Sequence, residues 1–180
     1  MALHEITLPE TKPETEWVRG RALQKVSPTY SHARLQAILV IIMTDWVERE
    51  NAGRVGTEWR FRVTPPGGPV RPLVPDVAYL SYEMLGADAP LQAVEVPLAA
   101  PTVAVEILSP DDRRADIDDK IGTYLAAGSA AVFIVDPKAK TIEVHDGQRP
   151  RLLESGDTLA HASMPHFALG VAELFERAAR

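Results

Sequence analysis

The sequence contains no cysteine, which excludes disulfides and thiolate metal sites together. It has no run of about 18 uncharged apolar residues, so no membrane-spanning helix is expected. The N-terminus, MALHEITLPETKPETEW, is acidic and lacks the basic-then-apolar order of a secretory leader, which leaves the cytoplasm as the default compartment. A basic excess is missing too, since the formal net charge is −6. That balance argues against a dedicated DNA binder held by charge alone. It leaves room for an enzyme whose acids are neutralised by a divalent cation. Internal repeats and low-complexity segments are absent.

What is present suits one well-cored domain. The 180 residues are 46% hydrophobic and 24% charged, close to the globular average, and a chain of this size buries roughly 70% of its unfolded surface. Residues 1–16 hold two prolines, four glutamates and few large apolar residues, so they read as a loose or weakly docked tail before a single domain at 17–180. EWVRGRALQKV reads as two short strands about an Arg-Gly turn. SPTYSHARLQAILVIIMTDWVERE is the clearest helix, capped by Ser31 or Ser27, with Leu35, Ile38, Leu39, Ile42, Met43 and Trp46 at helical spacing. GRVGTEWRFRVTP alternates as one half-buried strand, and PPGGP ends it. VPDVAYLS and TVAVEILS are strands, and the stretch between them has no settled state. RADIDDKIGTYLAAG is a helix with acids in its first turn and Gly128 at its end. AAVFIVDP and KTIEVHDG are strands, the first apolar enough to be central, and VAELFERAAR is a closing amphipathic helix. This order predicts an α/β chain with a mixed sheet flanked by helices.

Two strands break their own apolar pattern. Asp76 in PLVPDVAYL and Glu106 in TVAVEILS each set one carboxylate among hydrophobes, which is costly unless something pairs with it. If the strands are neighbours, the two carboxylates converge, and they repel unless one holds a proton or both bind a cation. Hard oxygen ligands of this kind suit Mg²⁺ or Mn²⁺, and such an ion activates water and stabilises charge on a scissile phosphate. Lys120 follows Asp116 by four residues and precedes Tyr124 by four, so the three line one side of a helix. From the edge of the apolar face made by Ile117, Ile121 and Leu125, the lysine stem can carry its ammonium back to the strand end.

VPD on one strand, VEILSPDDR on the next and DIDDKIGTY on the helix resemble the restriction-endonuclease-like Uma family, a branch of the PD-(D/E)XK nuclease superfamily. SPTYSHARL, AVFIVDP and VAELF extend the resemblance from about Trp17 to Phe175. It implies a restriction-endonuclease-like core, a central mixed β-sheet of four to seven strands with helices on both sides. It also implies that Asp76 and Glu106 are metal ligands with the main-chain carbonyl of Ile107, and that Lys120 is the catalytic lysine. The parent pattern places lysine two residues after the glutamate, where this chain has Leu108; the resemblance moves that role to Lys120. The implied activity is a Mg²⁺- or Mn²⁺-dependent endonuclease acting on DNA, in which a homodimer would pair two sites for the two strands.

Plainer readings stand beside these. Glu106 pairs with Arg113 or Arg114 in a structural ion pair, Asp76 caps a strand or turn, and Lys120 bridges to Asp116. Ser109 belongs to a turn or helix cap, with no G-x-S-x-G around it. His32, Arg60, Arg62 and Tyr124 are candidates for substrate binding, with Arg54 and Arg71 as further arginines for a phosphate backbone; solvated arginines or a capping histidine are the alternatives. His145, His161 and His166 make no zinc spacing. A catalytically silent module of the same fold, binding nucleic acid or a protein partner, is the rival to the nuclease, and a hydrolase of smaller phosphate esters is a third reading.

Overall fold

A tight turn opens the fold. Arg19 and Gly20 both take positive φ, 48° and 73°, the geometry of a two-residue hairpin turn whose twist matches its strands. They join β1 (Thr15–Val18) to β2 (Arg21–Gln24), as the Arg-Gly pair predicted. The structure, a computed structural model, describes residues 3–180. The expected tail boundary at residue 16 falls inside β1. The segment before it touches the body at separate points: Ile6 donates its N–H to the Val70 carbonyl, and Glu5 forms a bidentate pair with Arg62.

Helix α1 (Tyr30–Glu50) is capped by Thr29 rather than by Ser31 or Ser27. Thr29 is extended and its hydroxyl accepts from the His32 N–H, whereas Ser31 already lies within the first turn. The helix buries Leu35, Ile38, Leu39, Met43, Trp46 and Val47, with Ile42 half-buried beside them. The alternating stretch after α1 forms two strands instead of one, β3 (Gly53–Thr57) and β4 (Phe61–Val63). Glu58 takes φ 48° between them, which turns the chain out of the sheet, and β4 pairs with β5 (Arg71–Leu73). The expected strand at VPDVAYLS is β6 (Val77–Ser81); the unsettled stretch contains the short helix α2 (Leu91–Glu95); TVAVEILS forms β7 (Val103–Ile107).

Helix α3 (Arg114–Ala126) carries the chain from β7 to β8 (Ala131–Asp136), which lies parallel to it. Gly128, at φ 106°, makes the turn that follows the helix. β9 (Thr141–His145), β10 (Arg151–Leu153), β11 (Thr158–Leu159), β12 (Leu169–Gly170) and α4 (Val171–Ala178) complete the chain. The central sheet has the order β10-β9-β8-β7-β6-β3 and is mixed, with β8 and β7 in the middle.

Alternation along these strands divides the core in two. Val77, Tyr79, Val105, Ile107, Phe133 and Val135 face α1 and α4. Ala78, Leu80, Ala104, Val132 and Ile134 face α3 and the two small hairpin sheets. Trp46 anchors the first layer, edge-on to Tyr79 at 4.9 Å with its indole N–H donated to the Pro165 carbonyl. Among the described residues no helix is long and apolar enough to cross a membrane.

Candidate active site

β6 and β7 run antiparallel with Val77 opposite Val105. One more step of that register sets Asp76 opposite Glu106. Since Val77 and Val105 face α1, the alternation turns both acids to the α3 face of the sheet. Asp76 does more than end a strand: its Oδ2 accepts the Ile107 N–H at 2.7 Å, taking the place of the next ladder acceptor. In an extended residue N–H and C=O point the same way, so the Ile107 carbonyl is also directed toward Asp76.

From the other side, α3 brings Asp116, Lys120 and Tyr124 along one buried line. The Lys120 ammonium lies 2.7 Å from Glu106 Oε1 and 3.0 Å from Glu16 Oε2. Tyr124 donates its hydroxyl to Glu106 Oε1 at 3.3 Å. Asp116 takes no part in this, because Arg21 holds it through both oxygens at 2.8 and 3.1 Å. The expected Asp116–Lys120 bridge therefore does not form. Neither does an arginine pair at Glu106: Arg114 turns to Glu143 and Asp118.

Three members of the cluster were not singled out in the sequence. Glu16, on β1, is buried and clamps the site from above, accepting the Val74 N–H at 2.7 Å while it holds Lys120. The period-two rule gives a signal for it, since Glu16 shares the inward face of Val18. Lys25, just after β2, reaches Asp76 Oδ1 at 2.6 Å, the Val74 carbonyl at 3.0 Å and Glu58 Oε2 at 3.2 Å. Gln36 of α1 donates to the Asp76 carbonyl and to Glu58. His32, which sequence reasoning did offer, brings Nε2 to 3.3 Å from Asp76 Oδ2.

The other offered residues lie elsewhere. Arg62 is held by Glu5 and Arg60 by Glu14, away from the acids. Arg54 donates to the Leu85, Gly86 and Ala87 carbonyls, and Arg71 to Asp119 and Thr123. Tyr124 is fully buried behind Glu106, so it orients that carboxyl instead of meeting a substrate. Ser109 sits in a turn in which its N–H bonds Asp112 Oδ2.

The acids line a cavity of about 850 Å³, walled by the β1–β2 hairpin, the start of α1 and the start of α3. Asp76, Glu106 and Lys120 are all at most 4% exposed. Burial pushes the Glu106 carboxyl up to about 8, with Lys120 opposing and Glu16 and Asp76 adding to the rise. Asp76 also feels burial, but the Lys25 ammonium and His32 outweigh it and hold it well below the usual carboxylate range. Two adjoining carboxyls are thus driven apart by their surroundings. Lys120 stays above its ordinary value: burial works against its charge, and Glu106 and Glu16 more than restore it.

No group of three acidic or histidine side chains among the described residues forms a metal cage. A hard cation would rest on two carboxylates and the Ile107 carbonyl, with waters completing the shell. Mg²⁺ tolerates such a partial set. The fit is supported by Lys25, whose charged ammonium already sits against carboxylate and carbonyl oxygens beside Asp76. A family model for Uma2, described as "Putative restriction endonuclease", matches residues 3–172. A crystal structure described as a "putative nuclease belonging to DUF820", from Anabaena variabilis, superposes with a TM-score of 0.82 at 24% identity, covering 95% of this chain and 94% of that one. At that identity the likeness bears on the fold. No curated protein matches the chain.

Proposed function

The chain belongs to the Uma2 family of restriction-endonuclease-like proteins, and we propose that it is a divalent-metal-dependent endonuclease hydrolysing phosphodiester bonds in DNA. One observation carries this reading: Asp76, Glu106 and Lys120 meet on one wall of a cavity, buried and free of guanidinium partners. A structural ion pair needs no cavity beside it.

Asp76, Glu106 and the Ile107 carbonyl would hold Mg²⁺ or Mn²⁺, which supplies a polarised water and charge stabilisation at the scissile phosphate when bound. Asp76 lines the cavity with its carboxyl fixed by the Ile107 N–H and His32 on Oδ2. Lys120 acts as a charge and not as a base, because its neighbours keep it protonated. Its ammonium, tethered between Glu106 and Glu16, would offset the negative charge that builds as the water oxygen bonds to phosphorus and the leaving oxygen departs. Tyr124 fixes the Glu106 carboxyl and the Val74 N–H fixes that of Glu16, so the two groups that hold the lysine are set before substrate arrives.

The test is cleavage of plasmid and single-stranded DNA with Mg²⁺ or Mn²⁺, alongside Asp76→Ala and Glu106→Ala. The expected result is metal-dependent cutting by the wild type and a loss of at least about 100-fold in each variant. Intact DNA in every lane, or equal cutting by the variants, overturns the proposal and favours the silent module.

A further inference from the structure

Lys25 ends the β1–β2 hairpin, and its backbone N–H is fixed to the Glu14 carbonyl at 2.9 Å. An ammonium has three N–H donors. Those of Lys25 go to three groups: Asp76 Oδ1 at 2.6 Å, the Val74 carbonyl at 3.0 Å and Glu58 Oε1 at 3.4 Å, with Glu58 Oε2 at 3.2 Å completing the ion pair. No donor is left over for a substrate phosphate. Asp76 is equally committed, with Ile107 N–H and His32 on Oδ2 and Lys25 on Oδ1. A cation arriving at Asp76 therefore meets an oxygen already claimed by a positive group.

The geometry points to a built-in counter-ion: Lys25 neutralises the Asp76 seat, and a divalent cation binds there by exchange, displacing the ammonium toward Glu58. The inference rests on the metal-dependent reading above and adds what regulates entry to the site. Glu58 suits the receiving role. It already touches Lys25, and its side chain is 41% exposed where that of Asp76 is 3% exposed. The exchange asks only for rotation of a long stem, since the lysine backbone stays in its hairpin bond. The arrangement has two consequences. Without metal, Asp76 is kept from standing as a bare buried charge. With metal, part of the binding free energy goes to ejecting the lysine, so affinity is weaker than the two acids alone would give.

Mn²⁺ titration of wild type, Lys25→Met, Glu58→Gln and the double variant, read by calorimetry and melting temperature, tests the exchange without any nuclease assay. Lys25→Met is expected to melt lower without metal, to gain more from Mn²⁺, and to bind it on the order of tenfold more tightly. Glu58→Gln is expected to weaken Mn²⁺ binding severalfold in the wild-type background and to have little effect once Lys25 is gone. Equal or weaker binding by Lys25→Met overturns the inference while leaving the metal site standing. So does a Glu58→Gln effect that persists undiminished in the double variant. If Lys25→Met does not fold, Glu58→Gln decides alone, and an unchanged Kd overturns the exchange. If Mn²⁺ binds neither wild type nor Lys25→Met, the metal-dependent reading itself fails, and the exchange with it.

Discussion

The Lys120 ammonium lies 2.7 Å from the Glu106 carboxyl, and both side chains are no more than 5% exposed. Fourteen residues separate them in sequence, and the crossover from β7 into α3 closes the distance. Such a pair is unsafe to halve. Lys120→Met leaves Glu16 buried without its cation and takes a donor from the Glu106 carboxyl, and breaking a buried pair from one side costs about 3–5 kcal/mol. Urea unfolding should show a loss of that order together with loss of cleavage. A loss below about 1 kcal/mol would mean that the lysine is solvated.

Glu106 gives the protein a pH dependence with a definite sign. Its carboxyl is raised from 4.5 to about 8 in the folded state, so the folded chain holds a proton that the unfolded chain releases. Its contribution is intact below about pH 4.5 and is lost as pH rises toward 8, with a slope of at most about 1.4 kcal/mol per pH unit. Glu106→Gln cannot ionise and escapes that loss. The urea midpoint of Glu106→Gln should therefore gain on wild type as pH rises from 4.5 to 8. Parallel curves across that window would show an ordinary Glu106.

Tyr124 separates orientation from substrate contact. Tyr124→Phe keeps the buried ring and removes the hydroxyl 3.3 Å from Glu106, a loss of about 0.5–1.5 kcal/mol in stability. Because the ring is sealed behind Glu106, kcat should fall while KM holds. A raised KM with kcat unchanged would show that Tyr124 reaches the substrate.

Arg62 is the contrasting case. Its guanidinium is spent on Glu5 at the surface, in a bidentate pair of 2.6 and 2.7 Å. Arg62→Ala should cost no more than about 1 kcal/mol and leave DNA cleavage unchanged. A severalfold rise in KM for DNA would return Arg62 to the substrate-binding residues.

The pattern of what sequence reasoning could reach has a physical origin. Asp76, Glu106 and Lys120 were legible because each violates a local rule: an acid inside an apolar strand, or a lysine beside a buried helix face. The middle of the sheet was legible from β6, β7 and β8, which are nearly continuous apolar runs. Glu16, Lys25 and Glu58 obey their local patterns as polar residues on short alternating segments, and only the folding of a hairpin over a distant sheet buries Glu16 and half-buries Lys25. The single strand expected through Trp59 breaks at Glu58 because positive φ leaves no mark in an alternating sequence. The ion pairs of Arg60 and Arg62 were not legible, since their partners Glu14 and Glu5 come from the segment expected to be loose.

Glu16 offers a last experiment, in which a charge is removed with little change of shape. Glu16→Gln keeps an oxygen to accept the Val74 N–H, but its amide nitrogen is a donor and cannot hold the Lys120 ammonium. What it removes is a negative charge near Glu106, one of the influences that lift the Glu106 carboxyl. It also leaves Lys120 with Glu106 as its one carboxylate partner, a stronger pull toward the ionised form. Both effects act downward on Glu106. The pH window in which wild type loses ground to Glu106→Gln should then close from its upper end, below 8, when both proteins carry Glu16→Gln. Urea midpoints of the four proteins across pH 4 to 9 measure this directly. An upper edge that stays where it was would mean that burial by itself sets the Glu106 proton and that the hairpin acid serves only to hold the lysine.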